Sequence, residues 1–137
     1  MKKILYVLIC SIMLLGVTGC AGSKENYNKE YENEINIAKS MKMPFTATDY
    51  YSVGELLDNA LEDEYWDHFT GYLSNGERYV LISVKGKSKF DGKEYEIVYE
   101  VNTENKSAKL EQVYVDGEKG SGVTDLYRDS YKDIKGE

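Results

Sequence analysis

Cysteine, proline, histidine and tryptophan are almost missing from this chain of 137 residues, which has two Cys and one each of Pro, His and Trp. Both cysteines, Cys10 and Cys20, fall in the first 20 residues, so the remainder has no thiol. A disulfide framework, a thiolate zinc site and a cysteine nucleophile are thereby excluded from the body of the protein. The lone His68 offers too few nitrogen ligands for zinc, and no Gly-x-Ser-x-Gly elbow supports a serine triad. Positive charge is also short. Seventeen Lys+Arg face 24 Asp+Glu, a net −7 that becomes −9 without Lys2 and Lys3. That excludes nucleic acid as a partner, because phosphate neutralisation needs a clustered cationic surface. The acidic turns Asp116-Gly117-Glu118 and Asn102-Thr103-Glu104-Asn105 lack the ligand spacing of an EF-hand, and no cofactor is expected.

The N-terminus has a clear pattern. Met1-Lys2-Lys3 precedes an apolar stretch over 4–17, followed by Val17-Thr18-Gly19-Cys20. A positive start, a short apolar run and small residues before a cut site are the parts of a secretory signal. The run is shorter than the ~20 residues of a spanning helix. Val17-Thr18-Gly19-Cys20 resembles the lipobox of bacterial lipoproteins. That resemblance implies cleavage before Cys20, a diacylglyceryl group on its thiol, and a chain held on the extracytoplasmic face of the cell membrane. At about 0.8 kcal/mol per buried methylene, two acyl chains hold stably where one does not. Three parts follow: a signal over 1–19, a lipidated Cys with tether and possible helix over 20–47, and one α+β domain over 48–137.

Within 20–47, Tyr27, Tyr31, Ile35, Ala38 and Met41 recur at helical spacing, and Pro44 bars the helix from continuing. Ser52-Val53-Gly54-Glu55 is a capping box, with Tyr51 and Leu56 placed for a hydrophobic staple. Val53, Leu56, Leu57, Ala60 and Leu61 then form one apolar stripe, which predicts a helix over 53–62. Gly54 in its first turn suggests close packing of another element. From Tyr65 the period becomes two. Strands are predicted over 65–73, 78–90, 94–101 and 108–115, separated by Asn75-Gly76, Asp91-Gly92 and a polar turn, and closed by Asp116-Gly117. Residues 117–122 read as a glycine-rich loop, and Thr124 as the cap of a short terminal helix. The fold class is α+β: a short helix on a four-stranded antiparallel meander.

A helix carrying Ser52-Val53-Gly54-Glu55-Leu56-Leu57, then Trp66 and Phe69, then hairpin-linked strands, resembles small Gram-positive lipoproteins with cystatin-like or nuclear-transport-factor-like folds. The resemblance covers 48–117 and implies a helix lying across a curved sheet. It brings no functional residue, since Gln112-Val113-Tyr114-Val115-Asp116 departs from the Gln-x-Val-x-Gly hairpin of inhibitory cystatins.

Asp67-His68 is the one place for acid–base chemistry, but neighbours in a strand point to opposite faces and are not expected to meet. The 13 tyrosines are the more telling feature, since Tyr and Trp give rigid contact area with a polar tip. Trp66, His68 and Tyr72 share one face, opposite Phe69, and are the candidate binding residues. The expected function is that of a membrane-anchored, non-enzymatic module contacting a protein or envelope component. The alternative is a small enzyme or ligand-binding protein with a pocket between helix and sheet.

Overall fold

A computed structural model describes residues 26–46, 49–72, 74–76 and 78–137, with Thr70, Arg78 and Tyr79 described by backbone alone. Cys20 and the signal lie outside the described residues. The chain runs through a 3-10 turn (Lys29–Tyr31), α1 (Glu32–Lys39), β1 (Lys42–Pro44), β2 (Tyr50–Ser52), α2 (Val53–Ala60) and β3 (Leu61–Tyr72). It continues through β4 (Arg78–Ser88), β5 (Glu94–Asn102), β6 (Ser107–Val115), β7 (Glu118–Gly120) and α3 (Val123–Lys135). Strands β1 and β2 pair antiparallel, and β3 to β7 form a five-stranded antiparallel meander.

The α+β class holds, but the sheet has five strands rather than four. Residues 118–120, expected in a loop, pair with 113–115. Asp116 and Gly117 both adopt positive φ, 51° and 82°. A two-residue turn of that hand matches the strand twist and folds the chain straight back onto its neighbour. The cap of α3 also differs: Gly122 occupies the N-cap, and Thr124 lies within the first turn.

Helix α2 forms where its capping box lies. Glu55 N–H donates to Ser52 Oγ at 3.2 Å, and Ser52 N–H donates to Glu55 Oε2 at 2.9 Å. The helix stops at Ala60 instead of 62 because Leu61 is already extended and opens β3. A Cβ on Gly54 would lie 3.0 Å from Lys39 Cβ, so the missing side chain lets the end of α1 cross closely over α2. The stripe in the N-terminal segment becomes a 3-10 turn and a short α1, whose Ile35 and Ala38 are buried in the core. Pro44 ends β1, which pairs with the strand leading into α2.

One core joins these elements. Trp66, Ile82, Val84, Ile97, Tyr99 and Val113 of the sheet meet Ile35 of α1, Leu56 and Leu57 of α2, and Leu126 and Tyr127 of α3. Leu56, Leu57, Ile97 and Tyr99 are fully buried, so side chains fill the space between α2 and the sheet. Polar groups inside are paired. Ser130 Oγ donates to the Leu56 carbonyl at 2.6 Å, and the Tyr99 and Tyr127 hydroxyls lie 2.5 Å apart. Burial pushes Tyr127 up to about 12 and also raises Tyr99 well above its ordinary value, so both stay neutral.

Ser52→Ala removes the cap and is expected to lower unfolding free energy by about 1 kcal/mol in urea titration. Tyr99→Phe leaves the Tyr127 hydroxyl without its partner and costs about 1–3 kcal/mol, whereas the Tyr99→Phe/Tyr127→Phe pair recovers most of that loss.

Candidate functional site

Two surfaces stand out, the sheet face turned away from the core and the edge of β3. Strand alternation that points Ile82, Val84, Ile97 and Tyr99 into the core points Phe69, Leu81 and Val98 the other way. Phe69 pairs directly with Leu81, and Val98 sits diagonally across from Leu81 on the next strand. Leu81 and Val98 make a floor that is only 5% exposed, while Phe69 stands above it at 54%. These side chains, with Glu96, Glu111, Gln112 and Tyr114, line a groove of about 450 Å³. A β-bulge brings in the second carboxylate. Val98 opposes Gln112 and Tyr99 opposes Leu110, so Glu111 is an extra residue on β6. Both Glu111 and its neighbour Gln112 line the groove.

The expected binding residues do not form one surface. Trp66, one of the candidate binding residues, is fully buried. Alternation does set Trp66 and Phe69 on opposite faces, but the helices cover the Trp66 side. His68 is half-buried, with its ring stacked on Tyr31 at a centroid distance of 3.9 Å. Tyr72 is 69% exposed at the end of β3.

Asp67 and His68, expected not to meet, do meet. Asp67 Oδ1 accepts from His68 N–H at 2.8 Å and lies 3.2 Å from His68 Nδ1. Alternation fixes where Cβ points, but a short carboxylate can still fold back along its own strand. Asn28 Nδ2 donates to the same oxygen at 2.9 Å. That bond first, and the His68 contacts after it, hold the Asp67 carboxyl below its ordinary range against a desolvation that opposes them. Backbone bonds complete the clamp: Asn28 N–H to Trp66 O at 2.9 Å and Trp66 N–H to Asn26 O at 2.8 Å. The pair therefore ties residues 26–31 to the β3 edge, and the stacked Tyr31 covers one face of the imidazole.

A second titratable group at this edge had no signal in the sequence. The β3 bulge, where Asp63 takes φ 53°, leaves Glu64 half-buried beside Trp66. Trp66 Nε1–H donates to Glu64 Oε2 at 3.0 Å, and Asn26 Nδ2 reaches Glu64 Oε1 at 3.4 Å. Burial, and then the neighbouring Asp58 carboxylate, push Glu64 up to about 7. Lys39 Nζ lies 5.3 Å from the Trp66 ring centroid and 5.5 Å from that of Tyr27. Glu62-Asp63-Glu64 reads in sequence as a solvated acidic run, and only the bulge separates its third member from water.

A polar cleft of about 660 Å³ between β7 and α3 is lined by Asp91, Asp125, Asp129, Lys119 and Arg128, among others. Its charges answer one another: Arg128 pairs with Asp125, and Tyr95 donates to Asp91 at 3.0 Å. No group of three or more His, Cys, Asp or Glu among the described residues is arranged to hold a metal ion. None of the described helices is long and apolar enough to cross a membrane. No family model, curated protein or solved structure matches the chain.

The Glu64 environment makes a pH prediction. An unfolded chain releases this proton near 4.5, whereas the fold holds it to about 7. Between those values the folded state binds more protons, so this group's contribution to stability falls as pH rises. Glu64→Gln is expected to flatten that fall when unfolding midpoints are measured from pH 5 to 8. An unchanged slope would show that Glu64 ionises normally.

Proposed function

We propose that this protein is a membrane-anchored, extracytoplasmic and non-enzymatic binding module whose contact surface is the open sheet face. The observation that carries the reading is the asymmetry of the sheet. Its helix side is filled by fully buried side chains, while its outer side presents Phe69 over a Leu81 and Val98 floor. An exposed aromatic above an apolar floor is the kind of surface that partners cover. The filled interior speaks for a binding module over an enzyme or ligand carrier with a pocket between helix and sheet, which needs room there. The arrangement of α2 running into a meander supports the cystatin-like or nuclear-transport-factor-like resemblance at the level of architecture.

The anchor is a diacylglyceryl group on Cys20. Asn26 and Asn28 are bonded to Trp66, and only six residues, 20–25, lie between the anchor and Asn26, a stretch that spans no more than ~20 Å at full extension. The module is thus held close to the headgroups, with its partner an envelope component or another protein at the cell surface.

Two measurements test this. Cys20→Ala is expected to abolish labelling by radioactive palmitate and move the protein out of the membrane fraction; unchanged labelling overturns the anchor. For the contact surface, a photo-crosslinking amino acid at position 69 is expected to give a discrete adduct in intact cells. The same group at position 50, where Tyr50 is also exposed, is expected to give none. Adducts from position 50 alone would remove the open face from the proposal.

A further inference from the structure

We infer that the groove on the open sheet face binds a peptide segment in which apolar side chains alternate with Lys or Arg. This deepens the reading above and rests on it. Leu81 and Val98 at the floor and Phe69 at the wall ask for an aliphatic or aromatic side chain, since burial against them is favourable in proportion to apolar area. The polar groups at the rim set the charge. Glu96 and Glu111 line the groove, and no cationic side chain among the described residues does.

Among the described acids of this face these two are the least engaged. Glu100, the next acid, is held by Lys109 Nζ at 2.9 Å, and that bond raises the Lys109 pKa. Lys109 also feels the charge of Glu111 but makes no ion pair with it. Glu96 has only Lys85, 3.8 Å away on a side chain that is mostly exposed, an interaction of small worth. Among the described residues Glu111 has no ion pair. Gln112 donates through Nε2 to the Val113 carbonyl at 3.0 Å, so its second N–H and the Tyr114 hydroxyl are the neutral donors of the groove. The groove is therefore negatively charged, with no charged donor among the described residues. A ligand that supplies donors with positive charge and an apolar side chain between them is complementary to it. A neutral glycan leaves the two carboxylate charges unanswered. Anionic lipid and polyphosphate surfaces are repelled.

The test uses the full chain in nanodiscs of phosphatidylcholine, with empty nanodiscs as the blank. The probe is a fluorescein-labelled pentapeptide alternating Lys and Leu, read by anisotropy. It is expected to bind, whereas a pentapeptide alternating Glu and Leu does not, and one alternating Lys and Gly binds roughly tenfold more weakly. Phe69→Ser is expected to weaken the Lys/Leu probe by about tenfold or more. Glu96→Gln/Glu111→Gln is expected to weaken it similarly and to flatten its salt dependence. Asp125→Asn/Asp129→Asn, in the polar cleft between β7 and α3 that shares no lining residue with the groove, is expected to leave binding unchanged. All these side chains are at least partly exposed, and thermal melts confirm that each variant folds.

Failure of the Lys/Leu probe to bind, equal binding of the Glu/Leu probe, or indifference to the double Gln variant overturns the cationic-peptide inference. If Phe69→Ser still abolishes capture of the Glu/Leu probe, the open-face reading survives that failure. If Phe69→Ser changes no binding at all, both fall. A chito-oligosaccharide that binds with the same Phe69 dependence where the peptide does not would make the groove a glycan site and overturn the inference.

Discussion

An indole on the edge strand of a sheet can be kept from water only if something outside the sheet reaches over it. Trp66 occupies that position, and much of this fold is arranged to cover it. Tyr99 lies against it from within the sheet, at a centroid distance of 6.2 Å. Lys39, at the end of α1, carries its ammonium over the ring, and the chain from Asn26 to Asn28 bonds to the Trp66 backbone on both sides. Burying a large aromatic is worth several kcal/mol in a small domain without disulfides. The N-terminal segment is thereby drawn into the core. Once Trp66 faces the helices, alternation dictates that Phe69 faces away, and the open groove is a direct consequence.

The same burial accounts for the titratable edge. Trp66 cannot go inside without a partner for its N–H, and Glu64 supplies one. A carboxylate placed there is itself removed from water and lies beside Asp58, which favours its protonated form. Asp67, the residue immediately after Trp66, behaves oppositely because Asn28 and His68 donate to it. Two acids on one strand are thus displaced in opposite directions. At Glu64 burial outweighs the donor it has, whereas at Asp67 the Asn28 and His68 donors outweigh burial.

Features encoded within four or five residues were legible in the sequence. The capping box of α2, the hairpin at Asn75-Gly76 and the inward set Tyr95, Ile97 and Tyr99 all follow from local sterics and period. The opposition of Trp66 and Phe69 was legible too, since a period of two requires it. Which of those faces the helices would cover was not, because that depends on where α1 and α3 dock. Strand β7 escaped because three glycines in 117–122 look like loop, and only the hand of the Asp116-Gly117 turn sends the chain back. The Glu64 environment and the Glu111 bulge are products of strand register, which no local window contains.

The open face has a physical logic that the bulge makes visible. A sheet covered on one side usually shows polar side chains on the other, as Lys85, Glu96, Glu100 and Lys109 do here. Leu81 and Val98 break that pattern at the centre of the sheet. If they served stability alone, a polar strand former such as Thr would serve nearly as well on a solvated face, and Phe69 would have no reason to stand over them. The β6 bulge then adds Glu111 beside Glu96 at the rim, at the cost of an interrupted ladder. An apolar floor, an exposed ring and an irregular strand each weaken a free-standing sheet a little. Their convergence on one groove is what a surface shaped for a partner requires.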